Sequence, residues 1–444
     1  MSSLRIAAQT IVFTPATEDI DLLKKLSLQY EEKYKLTITS LPAQNKEDLQ
    51  KLYQQRWENI KSKFNDKEIY TDPTARGYLE ALVNELIQGN PQLKQRDFQC
   101  FFSRSGIPNA SYIGEGIILF NMGLFHRLEN ESQVAFVLAH EIAHFFLNHS
   151  DNAINRYVSA LNSEEVQAAL RKIKGSEFGK REQVDKLVKG LTFNSRRHSR
   201  DHESQADSMA VMFLRNTKFD ITSAVTTLAL LDTIDTDNFN TATALENTFN
   251  SPKYPFQKKW IRKEEGLLGG HALLNEDALP DDSLKTHPDC RQRIQYLQPM
   301  INSASQTITA SNPINKTTFE TLAQTFRQEI IAYTYTANNY SRSLYYTLRQ
   351  LQKTPTDPYL ITHTGTLLNR IYEAQKSHTL GKYIDLPGPA YPGNYNLLLQ
   401  FIQNLYLENI ASISYHFLNR HHAQLSQHEP FKVAYSASIQ IAQQ

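Results

Sequence analysis

The run His140-Glu141-Ile142-Ala143-His144 constrains this chain more than any other feature. Two histidines four residues apart stand one turn above the other on a helix, so both imidazoles can reach one metal ion while the intervening glutamate lies alongside. The flanking residues supply that helix. Asn130-Glu131-Ser132-Gln133 reads as a capping box, in which the Asn130 side chain accepts a backbone N–H and Gln133 reaches back. Val134, Val137, Leu138, Ile142 and Phe145 then recur at helical spacing as a buried face. The placement inside a capped amphipathic helix favours a metal site over two histidines packed there for structure alone.

A catalytic zinc takes three protein ligands and keeps a fourth position open, so a third donor is expected from a facing helix. Glu203-Ser204-Gln205-Ala206-Asp207 offers one. Glu203 is the expected third ligand. Asp207, one turn further on the same face, suits the free N–H of a ligand histidine and would fix its tautomer. Small Ala206 and Ala210 allow the helices to approach closely. His198 and His202 are read as ordinary surface histidines.

Around this core the chain reads as mainly α with a small β-sheet. Its 444 residues suggest three segments: an N-terminal helical extension over 1–65, a domain carrying the metal motif over 66–300, and a helical domain over 301–444. Glu18 to Phe64 is charged and helix-prone. Tyr78, Leu79, Leu82, Val83 and Leu86 form a stripe ending at Gly89-Asn90-Pro91. Phe98 to Arg104 and Tyr112 to Phe120 look like strands, the second around glycines that suit a hairpin or bulge. Ser150 to Arg200 turns polar and reads as a helical insertion. Further helices are expected over Arg200 to Leu214, Ile221 to Leu231 and Arg291 to Leu297. Beyond Ile301, helical hairpins are expected from Tyr340–Leu351, Tyr359–Gln375, Leu397–Leu407 and Ile410–Leu425, with phrases similar to tetratricopeptide repeats but no clean period.

Composition narrows the function classes. With 47 Lys plus Arg against 46 Asp plus Glu, the net charge of +1 gives no field for gripping nucleic acid, and no nucleic-acid partner is expected. Cys100 and Cys290, the two cysteines, form no disulfide framework and no CxxC metal knuckle. No run approaches the roughly 18 apolar residues of a membrane span. Met1 to Pro15 is a poor signal peptide, so the chain is expected to be cytoplasmic, or periplasmic or otherwise exported if a signal was removed.

Asn109-Ala110, Ile117 to Leu119, Gly123-Leu124-Phe125, the His140 to His144 helix with trailing His149, Glu203-x-x-Ala206-Asp207, and Thr286-His287-Pro288 with Arg293-Ile294 stand in a telling order. Together they resemble the HtpX/BepA-like branch of the gluzincin metallopeptidases, over about Asp72 to Leu297. The resemblance implies one zinc ion per chain, protein or peptide substrates, a role in protein quality control and, for members of the BepA kind, a tetratricopeptide domain after the peptidase. Membrane-embedded members carry transmembrane helices, and this chain shows none.

In the resulting mechanism, zinc held by His140, His144 and Glu203 lowers the pKa of water and polarises the scissile carbonyl. Glu141 acts as general base and then general acid. His287 and Arg293 are candidate donors to the developing oxyanion. The resemblance suggests that His287 lies near the metal position, where it would hold a latent state; a structural helix cap is the third option. A sheet-edge strand would pair with extended peptide through backbone groups of Asn109, Ala110 and Tyr112. The alternative is a latent peptidase fold acting as a chaperone-like or partner-binding protein through its C-terminal helices. A hydrolase acting on something other than peptides is a third reading.

Overall fold

The computed structural model describes residues 13–175, 200–234, 236, 238–262, 290–303, 311–389 and 391–443. These divide into two compact units. The first draws on Thr17–Asp235 and Asp282–Phe326, the second on Met1–Ala16, Thr236–Asp281 and Arg327–Gln444. Neither is continuous in sequence, so the contacts do not follow the three consecutive segments expected above.

The first unit opens with α1 (Ile20–Thr39), whose cap Asp19 accepts from Leu22 N–H, and α2 (Lys46–Asn65). Leu23, Leu26 and Tyr30 on α1 and Trp57, Ile60 and Phe64 on α2 follow the 3–4 spacing of a helix face. They share one core with Ile69, Phe101, Ile117 and Leu119. These helices are therefore one wall of the sheet rather than an extension, because their apolar stripes need a partner and the sheet supplies it. α3 (Pro73–Gly89) starts at Asp72, whose carboxylate accepts from Ala75 N–H, with Pro73 in the first turn where its missing N–H costs nothing.

Three strands follow: β1 (Gln99–Ser103), β2 (Ala110–Gly114) and β3 (Ile117–Asn121). Their order is β1-β3-β2, with β1 parallel and β2 antiparallel to the central β3. The stretch expected from Tyr112 to Phe120 thus folds back on itself. Gly114 at φ 111° and Gly116 at φ 79° make the turn possible; a Cβ at 116 would meet the Asp97 carbonyl at 2.4 Å. Glu115 between them accepts from Arg56 Nη2 and Thr37 Oγ1, each at 2.8 Å. Arg56 Nη1 also reaches Asp151 at 2.7 Å. This buried ionic knot holds the β2–β3 hairpin to α1, α2 and the start of the helix that carries Asp151, leaving β2 as the sheet edge.

After the short α4 (Met122–Phe125) comes α5 (Glu131–Phe146), which carries both histidines of the motif. It is buried on nearly every side, as a helix that is apolar all round must be. Asn130 caps it by accepting from Gln133 N–H, and Gln133 reaches back to Glu129 N–H. Glu131, fully buried, accepts from Tyr78 Oη at 3.0 Å and from the backbone N–H groups of Ile314 and Asn315 at 2.7 Å. A carboxylate at a helix N-terminus is also favoured by the helix dipole. The start of α5 is thereby tied to two distant segments.

α6 (His149–Leu161) and α7 (Glu164–Gly175) follow. α6 is more than a solvated insertion, since Val158 packs with Leu49 and Tyr53 of α2. Residues 176–199, with the expected segment Val184–Leu191 and His198, lie outside the described residues. α8 runs over residues 200–215, and α9 is Ser223–Thr233. α10 (Thr241–Phe249) belongs to the second unit, and α11 (Cys290–Asn302) returns to the first. α12 (Lys316–Thr336) contributes to both.

The second unit continues with α13 (Tyr340–Leu351), α14 (Pro358–Lys376), α15 (Gly393–Asn404), α16 (Leu407–Leu425) and α17 (Glu429–Ala442). α13 and α14 form a hairpin whose turn ends at Asp357, the cap that accepts from Leu360 N–H. α14 crosses α16 closely at Gly365, where a Cβ would stand 2.5 Å from Leu418. Asn369 stitches three helices, donating to the Ala434 carbonyl at 2.9 Å and accepting from Ser414 Oγ at 2.6 Å. The expected pairing of α15 with α16 is not the main one. α15 packs instead on α10 and the turn Lys258–Ile261: Phe401 stacks on Phe249 at 5.8 Å, and Asn404 donates to the Trp260 carbonyl at 3.2 Å. Tertiary partners far away in sequence outbid the local hairpin. Among the described residues no helix is long and apolar enough to cross a membrane.

Candidate metal centre

α5, α8 and α11 bring the motif residues together in the first unit. His140 and His144 project from one face of α5, with their Nε2 atoms 3.0 Å apart. Glu203, in the first turns described for α8, places Oε1 3.3 Å from His144 Nε2 and Oε2 3.5 Å from His140 Nε2. Among the described residues this is the one group of three His, Cys, Asp or Glu donors close enough to share an ion. Ligand atoms about 2.05 Å from a tetrahedral centre stand roughly 3.3 Å apart. The two distances to Glu203 run to its different oxygens, and one ligand atom from each residue lies within 4.8 Å of the others, close enough for the three to close on a zinc-sized ion. Two nitrogens and one carboxylate are also a donor set that zinc accepts.

The charges fit as well. Glu203 and Asp207 face the Arg293 guanidinium, and with Glu141 beside the histidines the cluster stands at a formal −2 with neutral imidazoles. Burial works against a charged His140, but hydrogen bonds to Asp207 and Glu203 outweigh it and push its pKa up to about 10. A cluster that favours a proton so strongly favours a metal cation by the same attraction. Burial likewise opposes the charged form of Glu203, yet the two histidines hold its carboxyl well below the usual range.

Asp207 is fully buried, with Oδ1 2.9 Å from His140 Nδ1. Arg293 grips it bidentately, Nε to Oδ2 at 2.6 Å and Nη2 to Oδ1 at 2.7 Å. That pairing outweighs burial and keeps the Asp207 carboxyl below its ordinary value. The third guanidinium nitrogen, Nη1, lies 3.2 Å from Glu203 Oε2. Arg293, expected as a donor to an oxyanion, thus spends Nε and Nη2 on Asp207, while Nη1 lies beside Glu203. Ala206 and Ala210 are fully buried on the same helix. His287 lies outside the described residues.

Glu141 sits between the triad and the sheet edge. The Tyr112 N–H donates to its Oε2 at 2.8 Å. Desolvation pushes the Glu141 pKa up, against the pull of His140 and His144. Of the three candidate strand residues, Asn109 turns its carbonyl inward to accept from Asn121 N–H at 3.1 Å. Ala110 and Tyr112 alternate with Asn109 and Ser111, so their backbone groups face outward along β2. The Tyr112 ring packs on Phe145, with centroids 5.3 Å apart.

Two contributors were not assigned a role from sequence. His149 Nδ1 lies 3.0 Å from His144 Nδ1, and its Nε2 is 3.1 Å from Gln205 Oε1. His202, read as a surface residue, stacks flat on His149 at 4.1 Å and 4°. Burial, with the nearby His144 and His202, pushes the His149 pKa down to about 4. The signal available in sequence was the trailing histidine itself. Its contact depends on the Asn148 turn at φ 53°, which no helical periodicity foretells.

A family model for peptidase family M48 matches residues 73–301, more than half of the chain. The chain belongs to peptidase family M48. It is 25% identical over 248 residues to the beta-barrel assembly-enhancing protease of Yersinia pestis, covering 53% of this chain and 42% of that one. It is 27% identical over 161 residues to a putative beta-barrel assembly-enhancing protease of Vibrio cholerae, covering 35% of this chain and 32% of that one. The matches span less than half the length of these relatives.

Proposed function

We propose that this chain is a zinc-dependent endopeptidase acting on proteins. The observation that carries the reading is the convergence of His140 Nε2, His144 Nε2 and a Glu203 carboxylate within 3.5 Å of one another. One zinc ion per chain, held by these three residues, would polarise a carbonyl and acidify water. Glu141 takes the proton of the attacking water and passes it to the leaving amine; its position beside the ligands and its raised pKa suit both halves of that task. The backbone groups of Ala110 and the Tyr112 carbonyl pair with an extended peptide, a mode that tolerates many side chains, while the Tyr112 N–H is held by Glu141. Arg293 holds Asp207 and Glu203 in place, and Asp207 orients His140.

The two relatives are named for enhancing β-barrel assembly, and this supports protein substrates and a role in protein quality control. His287 is retained as a candidate regulator or donor at the same site.

Elemental analysis of the purified chain, paired with Glu141→Gln in a casein-cleavage assay, tests the reading. The expected result is one zinc per chain, with cleavage falling by about 10²- to 10⁴-fold in the variant while zinc stays bound. A chain that takes up no zinc, or a variant that cleaves like wild type, overturns it.

A further inference from the structure

An imidazole binds metal through a nitrogen that carries no proton, so its other nitrogen carries one and needs an acceptor. For His140 that acceptor is the Asp207 carboxylate. Among the described residues no carboxylate stands behind His144; its Nδ1 faces His149 Nδ1 at 3.0 Å. Two such nitrogens bond only when one is protonated and the other bare. The far side of His149 decides which. Its Nε2 stands 3.1 Å from Gln205 Oε1, and a carbonyl oxygen can only accept. The His149 proton is thus on Nε2, its Nδ1 offers a lone pair to His144 Nδ1–H, and His144 Nε2 is left bare toward Glu203.

We propose that Gln205 and His149 form a neutral relay that fixes His144 in its metal-binding tautomer and holds its ring in place. The inference rests on the reading of His144 as a metal ligand. His149 is a positioning residue in this scheme, and the flat stack on His202 sets the plane of its ring. The Asn148 turn brings it back over the last turn of α5. The two ligand histidines are braced differently as a result. His140 has a carboxylate whose charge Arg293 balances, whereas His144 has an uncharged ring, so its orientation is secured without more negative charge in the cluster.

The Oδ1 of an asparagine falls where histidine Nδ1 stands, while a glutamine amide falls where Nε2 stands. His149→Asn therefore keeps the acceptor; His149→Gln and His149→Leu lose it, and all three lose the His202 stack. Zinc dissociation constants, measured on the full chain by competition with a chelator, should stay within about threefold of wild type for His149→Asn. They should rise about 10- to 100-fold for the other two. Equal weakening in all three, or none in His149→Leu, overturns the relay. In the zinc-loaded wild type, histidine ¹⁵N spectra should show His149 protonated on Nε2 and His144 on Nδ1. A proton on His149 Nδ1 overturns the relay without any variant. A wild-type chain that binds no zinc overturns the ligand reading beneath it, an outcome distinct from a zinc-binding wild type whose His149 variants match it.

Discussion

The two units bury polar groups in opposite ways. In the unit that holds the candidate metal centre, Arg104, Glu131, Asp207 and Arg293 are charged groups with at most 5% exposure. Each is met by ionic or multiple hydrogen-bonding partners: Glu18 for Arg104, two backbone N–H groups and Tyr78 for Glu131, and each other for Asp207 and Arg293. In the second unit the buried polar groups are mostly hydroxyls and amides. Thr347 and Thr364 bond carbonyls of their own helices, and Ser414 bonds Asn369. Glu329 is the exception, accepting from Ala16 N–H at 2.7 Å. A hydroxyl satisfied by its own helix creates no lasting field. Buried charges are costly unless paired, and each of these four is paired or multiply hydrogen-bonded.

The difference can be broken from either side. The largest effect is expected from Arg293→Leu, which leaves the fully buried Asp207 carboxylate without its guanidinium. About 3–5 kcal/mol should be lost. Hydrogen exchange should rise first in α5, α8 and α11, with α14, α16 and α17 unchanged. Equal exchange in both sets would mean that the ionic pairing is not local to the first unit.

Gly365→Val attacks the second unit through packing alone. With Leu418 already where a Cβ would go, about 1–3 kcal/mol should be lost, read as a lower urea midpoint. Leu418→Ala in the same chain should restore part of it. No recovery would show that the crossing at Gly365 is not what the extra methyls disturb.

The smallest effect concerns a buried histidine that the second unit keeps neutral. His363 bonds Ser343 Oγ at 2.8 Å, and burial pushes its pKa down from 6.5 to about 3. The unfolded chain binds this proton more readily than the folded one. The contribution is therefore fully present above pH 6.5 and is lost as pH falls from there toward 3. Between about pH 7.5 and about 5.5, roughly 1.4 kcal/mol should disappear from this source. Urea unfolding of wild type and His363→Asn at both pH values measures it; equal slopes would remove His363 as the cause.

Much of the local structure was legible beforehand. The cap at Asn130, the stripe on α3 and the helices from Tyr340 onward follow from spacing and capping chemistry that act within a few residues. The site residues His140, Glu141 and His144 were legible for the same reason, since one helix sets their spacing. The strand region was half legible: the glycines marked a bend, but the Arg56–Glu115 pair that pins the hairpin joins residues 59 apart in sequence. The N-terminal helices read as an extension because their stripes show that a partner exists without saying which. α15 misled in the same manner, its apolar face meeting Phe249 and the Trp260 turn rather than its neighbour in sequence.

The sequence by itself determined the family and the helix that presents two imidazoles and a carboxylate on adjoining positions, because helical geometry converts spacing directly into a shared face. Asp207 behind a ligand histidine was legible from its place one turn after Glu203. Only the tertiary structure decided the rest: His149 stands behind His144, and Arg293 reaches across to Asp207 and Glu203. Periodicity states which side of an element must be covered and is blind to what covers it. That choice belongs to packing between distant segments, where shape, charge and hydrogen bonding are satisfied together.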